Sequence, residues 1–152
     1  MIDACYRAGF RLAYGAARLW WRLVPGRSRG ALVALWHDGR VLLVRNSYLA
    51  FLSLPGGHLG RAETPLDGAV REAAEEVGIA LDAATLRLAC AEEQRLFRHA
   101  NHVTIFEAVL PAPPEIRIDN REVVAAEFLD PAEALARPLF PPLRRYLEQR
   151  RN

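Results

Sequence analysis

Between Gly57 and Ile79 the chain reads GHLGRAETPLDGAVREAAEEVGI, and this stretch sets the terms for everything around it. Thr64 is a good N-cap, and Pro65 follows it where a missing N–H costs nothing. Asp67, three residues after the cap, suits the positive end of a helix dipole. Leu66, Val70, Ala73 and Val77 recur at helical spacing and predict a core-facing stripe. Gly78 is placed to end the helix in the left-handed conformation. Leu54-Pro55-Gly56-Gly57 lead into it through a tight turn.

Glu72, Glu75 and Glu76 stand at i, i+3 and i+4 and therefore share one helix face. Like charges four apart oppose a helix by roughly 0.2–0.5 kcal/mol per pair. A fold that keeps such carboxylates together uses them together. The simplest use is a hard divalent cation that takes oxygen ligands, Mg²⁺ with Mn²⁺ as a substitute.

At these residues the sequence resembles the Nudix hydrolases. That family's box is matched by Gly57, Glu63, Arg71, Glu72, Glu75, Glu76, Gly78 and Ile79 at their spacings; the one mild departure is Ala73, where a larger aliphatic is usual. The resemblance covers roughly residues 30 to 135. It implies an α/β/α sandwich around a mixed sheet, with an extra N-terminal helix here. It also implies a pyrophosphohydrolase whose cation is held by Glu72, Glu75, Glu76 and the carbonyl of Gly57. Glu63 and Arg71 would pair and aim those ligands, with phosphate contact by Arg71 as the alternative. The family's base is a box glutamate or a late glutamate, so Glu75 and Glu122 compete for that role, with Glu127 behind them. Arg45, Arg95 and Phe97 are the candidates for touching substrate, and Phe97 or Phe106 for stacking on a base. No subfamily marker stands in Gln94-Arg95-Leu96-Phe97. The expected substrate is a nucleoside diphosphate joined to another moiety, of the nucleotide-sugar or ADP-ribose class. A non-catalytic nucleotide sensor and a membrane-surface hydrolase of a lipid-linked diphosphate are the rival readings.

At 152 residues, 51% hydrophobic and 25% charged, the chain reads as an ordinary globular protein. The division expected is residues 1–28 as an amphipathic helix and linker, and 29–152 as the Nudix domain. A net charge of +2 gives no reason to expect DNA binding. The sequence has no Lys, so any phosphate clamp must be guanidinium. Cys5 and Cys90 form no disulfide framework and read as reduced thiols. No apolar run is long enough to span a bilayer, and no signal peptide is apparent, so a cytoplasmic protein is expected.

Residues 4–24 repeat Tyr6, Phe10, Ala13, Ala17, Trp20 and Val24 at helical spacing, with Leu12, Ala16, Leu19 and Leu23 on a further side. Arg7, Arg11, Arg18 and Arg22 form one stripe. The plainer reading packs this helix on its own domain or on a partner subunit, as in a homodimer, with the arginines in water. A peripheral contact with an anionic membrane is the alternative.

Gly26–Gly30 reads as a linker, followed by a hairpin of Ala31–Trp36 and Val41–Arg45. Strands are expected at 86–97, 103–110, 115–118 and 122–129, with His99 and His102 at a solvated tip. Helices are expected after Asp130-Pro131 and from Pro141.

Overall fold

Alternating burial along one long strand explains how the layers form. A computed structural model describes residues 2–96, 98–118 and 120–151. Strand β1 (Gly26–His37) sends Ala31, Val33 and Leu35 to one face and Leu32, Ala34 and Trp36 to the other. Both faces are buried, so helices must cover both.

Around β1 lie β2 (Arg40–Asn46), β3 (Gly56–His58), β4 (Arg87–Leu96), β5 (His99–Val109) and β6 (Val123–Leu129). The order is β4-β5-β1-β2-β6, with β3 paired to β1 off that path. β1 and β5 run parallel; the other pairs are antiparallel, so the sheet is mixed. Asp38 and Gly39 join β1 to β2 with φ of 49° and 72°, the two positive values of a type I′ hairpin turn.

Helix α2 (Pro65–Val77) covers one face through Ala69, Ala73 and Val77. Helices α3 (Pro131–Leu135) and α4 (Pro141–Arg151) cover the other, where Leu143, Tyr146 and Leu147 meet Leu32, Ala34 and Trp36. The Trp36 indole N–H donates to the Tyr146 hydroxyl at 2.9 Å, pinning α4 to the sheet. Asp130 and Glu133 close a reciprocal capping box on α3. The expected α/β/α sandwich is therefore the observed fold.

Several local expectations need correction. Gly26–Gly30 is no linker; it pairs with His99–Val103 as the first part of β1. His99 and His102 are likewise strand residues, because that pairing extends β5 back to His99. Residues 115–118 form no strand. Arg117 N–H instead donates to the Val77 carbonyl, laying this segment against the end of α2. The cap there is Gly78 at φ 71°, where an added Cβ would stand 3.0 Å from that of Arg117.

The first helix, α1 (Ile2–Leu23), packs on its own domain. Phe10 and Tyr14 lie against Tyr48, with ring centroids 6.0 and 5.1 Å apart. Arg7 and Arg11 are not simply solvated: each donates to a loop carbonyl, of Asn120 and Ser47, at 3.0 Å. The side chains of Arg18 and Arg22 lie outside the described residues. The outward side of α1 exposes Leu12, Leu19, Trp20 and Leu23. Among the described residues no helix is long and apolar enough to cross a membrane.

Candidate active site

Thr64 caps α2 as expected: its hydroxyl accepts from the Asp67 N–H. The buried side of the helix is turned from the predicted stripe by about half of the ~100° residue step. Leu66 and Val70 are half-exposed, while Ala69, Ala73, Val77 and Glu76 are buried. Alanines at 69 and 73 let the backbone approach the sheet closely. Glu76 turns inward because a donor waits there, the Gly56 N–H at 2.9 Å.

The three helix glutamates consequently meet different surroundings. Glu75 keeps 60% of its side chain exposed, Glu72 only 13%, and Glu76 is buried. Burial first, then the charges of Glu72 and Glu122, pushes the Glu76 carboxyl up to about 8; the Gly56 and Asn46 donors offset part of that. Burial also raises the Glu72 carboxyl, opposed by Arg71 and reinforced by Glu75 and Glu122. The charge of Glu122 is felt by both carboxyls.

Arg71 organises the outer end. Its guanidinium donates to Glu63 at 2.7 and 3.1 Å, to Glu72 and Glu75 at 2.9 Å each, and to the His58 carbonyl at 3.4 Å. Glu63 also accepts from the Gly60 N–H at 2.8 Å. These donors, Arg71 foremost, hold the Glu63 carboxyl down to about 2. Glu63 and Arg71 do pair, and the same guanidinium also reaches Glu72 and Glu75.

The residues fit a hard cation. Glu72, Glu75, Glu76 and the Gly57 carbonyl are all oxygen donors. A Cβ at Gly57 would stand 2.6 Å from the nearer Glu72 oxygen, so any larger residue there would require the Glu72 carboxylate to move. Buried carboxylates that raise one another's pKa are a group that a positive ion stabilises. Among the described residues, no three acidic, His or Cys side chains yet surround one point. Arg71 engages Glu72 and Glu75, and Glu76 is turned to Gly56.

Of the residues expected at the substrate, Phe97 lies outside the described residues. Arg45 is exposed and shares the alternation of Val41 and Leu43, which sets it on the α4 face, away from α2. Arg95 pairs with Glu93 at 3.1 Å and borders a recess of about 370 Å³ with Arg27, Arg98 and His99. That recess adjoins the Gly26–His99 pair, roughly 16 Å along β1 from the partner of Gly57. Phe106 packs in the core beneath α2. Glu127 is engaged by Arg137 at 2.7 Å.

Tyr48 and Asn46 escaped the sequence reading. The Tyr48 hydroxyl donates to Glu122 at 2.5 Å, and the Asn46 side chain bonds Glu76. Their partners are 74 and 30 residues away, and no local pattern announces either contact.

Fold and site together define an α/β/α sandwich that presents a glutamate helix and its arginine clamp beside a glycine turn. Compared with protein families, the chain matches the NUDIX domain over residues 26–149, and it belongs to that family. Among solved structures it is similar to the MutT NUDIX hydrolase of Burkholderia pseudomallei, at 26% identity, covering 81% of this chain and 97% of that one with a TM-score of 0.69. It is similar to the E. coli dihydroneopterin triphosphate pyrophosphohydrolase at 26% identity, 80% and 92% coverage and a TM-score of 0.67. The NUDIX domain of Shewanella oneidensis NrtR, solved with ADP ribose, is 22% identical, with 84% and 87% coverage and a TM-score of 0.67. Comparison with curated protein sequences gives no match.

Proposed function

We propose that the protein is a divalent-cation-dependent hydrolase that cleaves the pyrophosphate bond of a nucleoside diphosphate joined to another moiety, of the nucleotide-sugar or ADP-ribose class. The observation that carries this is the helix-face set of Glu72, Glu75 and Glu76, with Glu76 buried against the Gly56 N–H and the Glu72 carboxylate lying against Gly57. The solved complex of a similar NUDIX domain with ADP ribose supports the ligand class. Glu72, Glu75, Glu76 and the Gly57 carbonyl would hold Mg²⁺, or Mn²⁺ in its place. Such an ion supplies charge neutralisation at the diphosphate and a more acidic water. Arg71, fixed by Glu63, orients Glu72 and Glu75. Glu122 takes the water's proton; it is favoured over Glu75 because Glu75 is exposed and engaged by Arg71, whereas Glu122 is part-buried and held by the Tyr48 hydroxyl.

The test is release of nucleoside monophosphate from a panel of nucleotide sugars, ADP-ribose, dinucleoside polyphosphates and nucleoside triphosphates, with Mg²⁺ and with chelator. Cation-dependent turnover is expected, and Glu122→Gln should lower it by ~10²–10⁴-fold. A larger loss with Glu75→Gln would transfer the base role to Glu75. Tight binding without turnover across the panel would instead make the protein a sensor.

A further inference from the structure

The N-terminal helix lies outside the matched family region, yet it touches the two loops that carry the site. The first is Ser47-Tyr48. The Ser47 N–H donates to the Glu122 carbonyl at 2.7 Å, while the Tyr48 hydroxyl donates to the Glu122 carboxylate at 2.5 Å. Glu122 is thus held at main chain and side chain by consecutive residues. The second loop precedes β6 and contains Asn120, at φ 58°.

Helix α1 braces both. Phe10 stacks on the Tyr48 ring at 24° between planes, and Tyr14 leans on the same ring. Arg11 donates to the Ser47 carbonyl and Arg7 to the Asn120 carbonyl. The Arg121 guanidinium sits 4.6 Å from the Tyr6 ring centre. A tyrosine ring on a loop is free to rotate unless something packs against it. Here the packing comes from α1, and the fixed hydroxyl sets the rotation of the carboxylate.

We propose that Tyr48 is a positioning residue for Glu122 and that α1 serves the reaction by holding Tyr48 in place. This rests on the hydrolase reading above. The element that the family match leaves aside is then part of the machinery, with its aromatic face on the Tyr48 ring and its arginines on the loop carbonyls.

The experiment compares the full-length chain with Tyr48→Phe, Glu122→Gln, the Tyr48→Phe/Glu122→Gln double variant, and Phe10→Ala. The substrate is whichever panel compound the wild type turns over. Tyr48→Phe keeps the ring packing and removes only the hydroxyl. It should lower kcat by ~10-fold while KM stays near the wild-type value. Phe10→Ala should lower kcat in the same direction by less, with the folded state verified by thermal melting. In the Glu122→Gln background, Tyr48→Phe should cost nothing further, because the partner it positions is already disabled. Equal losses in both backgrounds would make Tyr48 merely structural and overturn the proposal, as would an effect on KM alone or an unchanged kcat. A normal kcat in folded Phe10→Ala would overturn the part assigned to α1. A wild-type chain that hydrolyses nothing on the panel would overturn the hydrolase reading, and this one with it.

Discussion

The outer and inner ends of the acidic face use the same residue type to opposite effect. At the outer end Glu63 and Glu75 meet Arg71 in water-accessible ion pairs, and Glu63 is held ionised down to about 2. At the inner end Glu76 is buried, accepts from the Gly56 N–H, and is pushed up to about 8, chiefly by burial. One end is neutralised by an arginine; the other, under the proposed function, would be neutralised by a cation. Burial makes the difference, because desolvation penalises the charged form and strengthens every like-charge contact. Under the proposed function the site would use both: a finished clamp to hold geometry, and inward carboxylates to attract a cation.

Breaking the clamp tests the first half. Arg71→Ala removes the donors that hold Glu63, Glu72 and Glu75, and should lower cation-supported kcat/KM by ~10–100-fold, the range for loss of a ligand-orienting partner. Steady-state kinetics at saturating Mg²⁺ measure it, and an unchanged value would mean that the clamp is incidental.

The second half is tested through pH. Glu76 binds its proton more tightly folded than unfolded, so the folded state retains a proton that the unfolded chain has released. The contribution of Glu76 to the stability of the cation-free protein should therefore be fully present below about pH 4.5 and be lost as pH rises through about 8. Thermal melts in chelator should lose more than ~3 °C over that window, about 1 kcal/mol for a chain of this size. Glu76→Gln should flatten the profile, and Mg²⁺ should restore the wild type at high pH by binding the folded state. A wild-type profile that rises from pH 5 to 8 would contradict the assignment.

The smallest effect belongs outside both ends. Glu127→Gln, which loses only an exposed pair with Arg137, should leave turnover unchanged and cost no more than ~1 kcal/mol in denaturant unfolding. Loss of activity there would move the base to Glu127.

Much of this was legible in order along the chain. The capped helix, its three glutamates, the glycine turn and the hairpin at Asp38-Gly39 are local features, so spacing and turn chemistry sufficed. The strand at Gly26–Gly30 was not legible, because its glycines and arginines are turn-like and only β5 beside it makes them a strand. The inward turn of Glu76 was hidden for the same kind of reason: a carboxylate in the core is stable only beside a donor that another segment supplies. Arg45 looked suited to phosphate, yet strand alternation sets it on the far side of the sheet.

The order of residues by itself determined the family, the capped acidic helix and the arginine that clamps it, since these depend on neighbours within one or two helical turns. Only the tertiary structure decided which glutamate is buried, that Tyr48 reaches Glu122, and that α1 lies over both loops. Burial and long-range hydrogen bonds depend on where distant segments are brought to rest, and no spacing within a single segment encodes that.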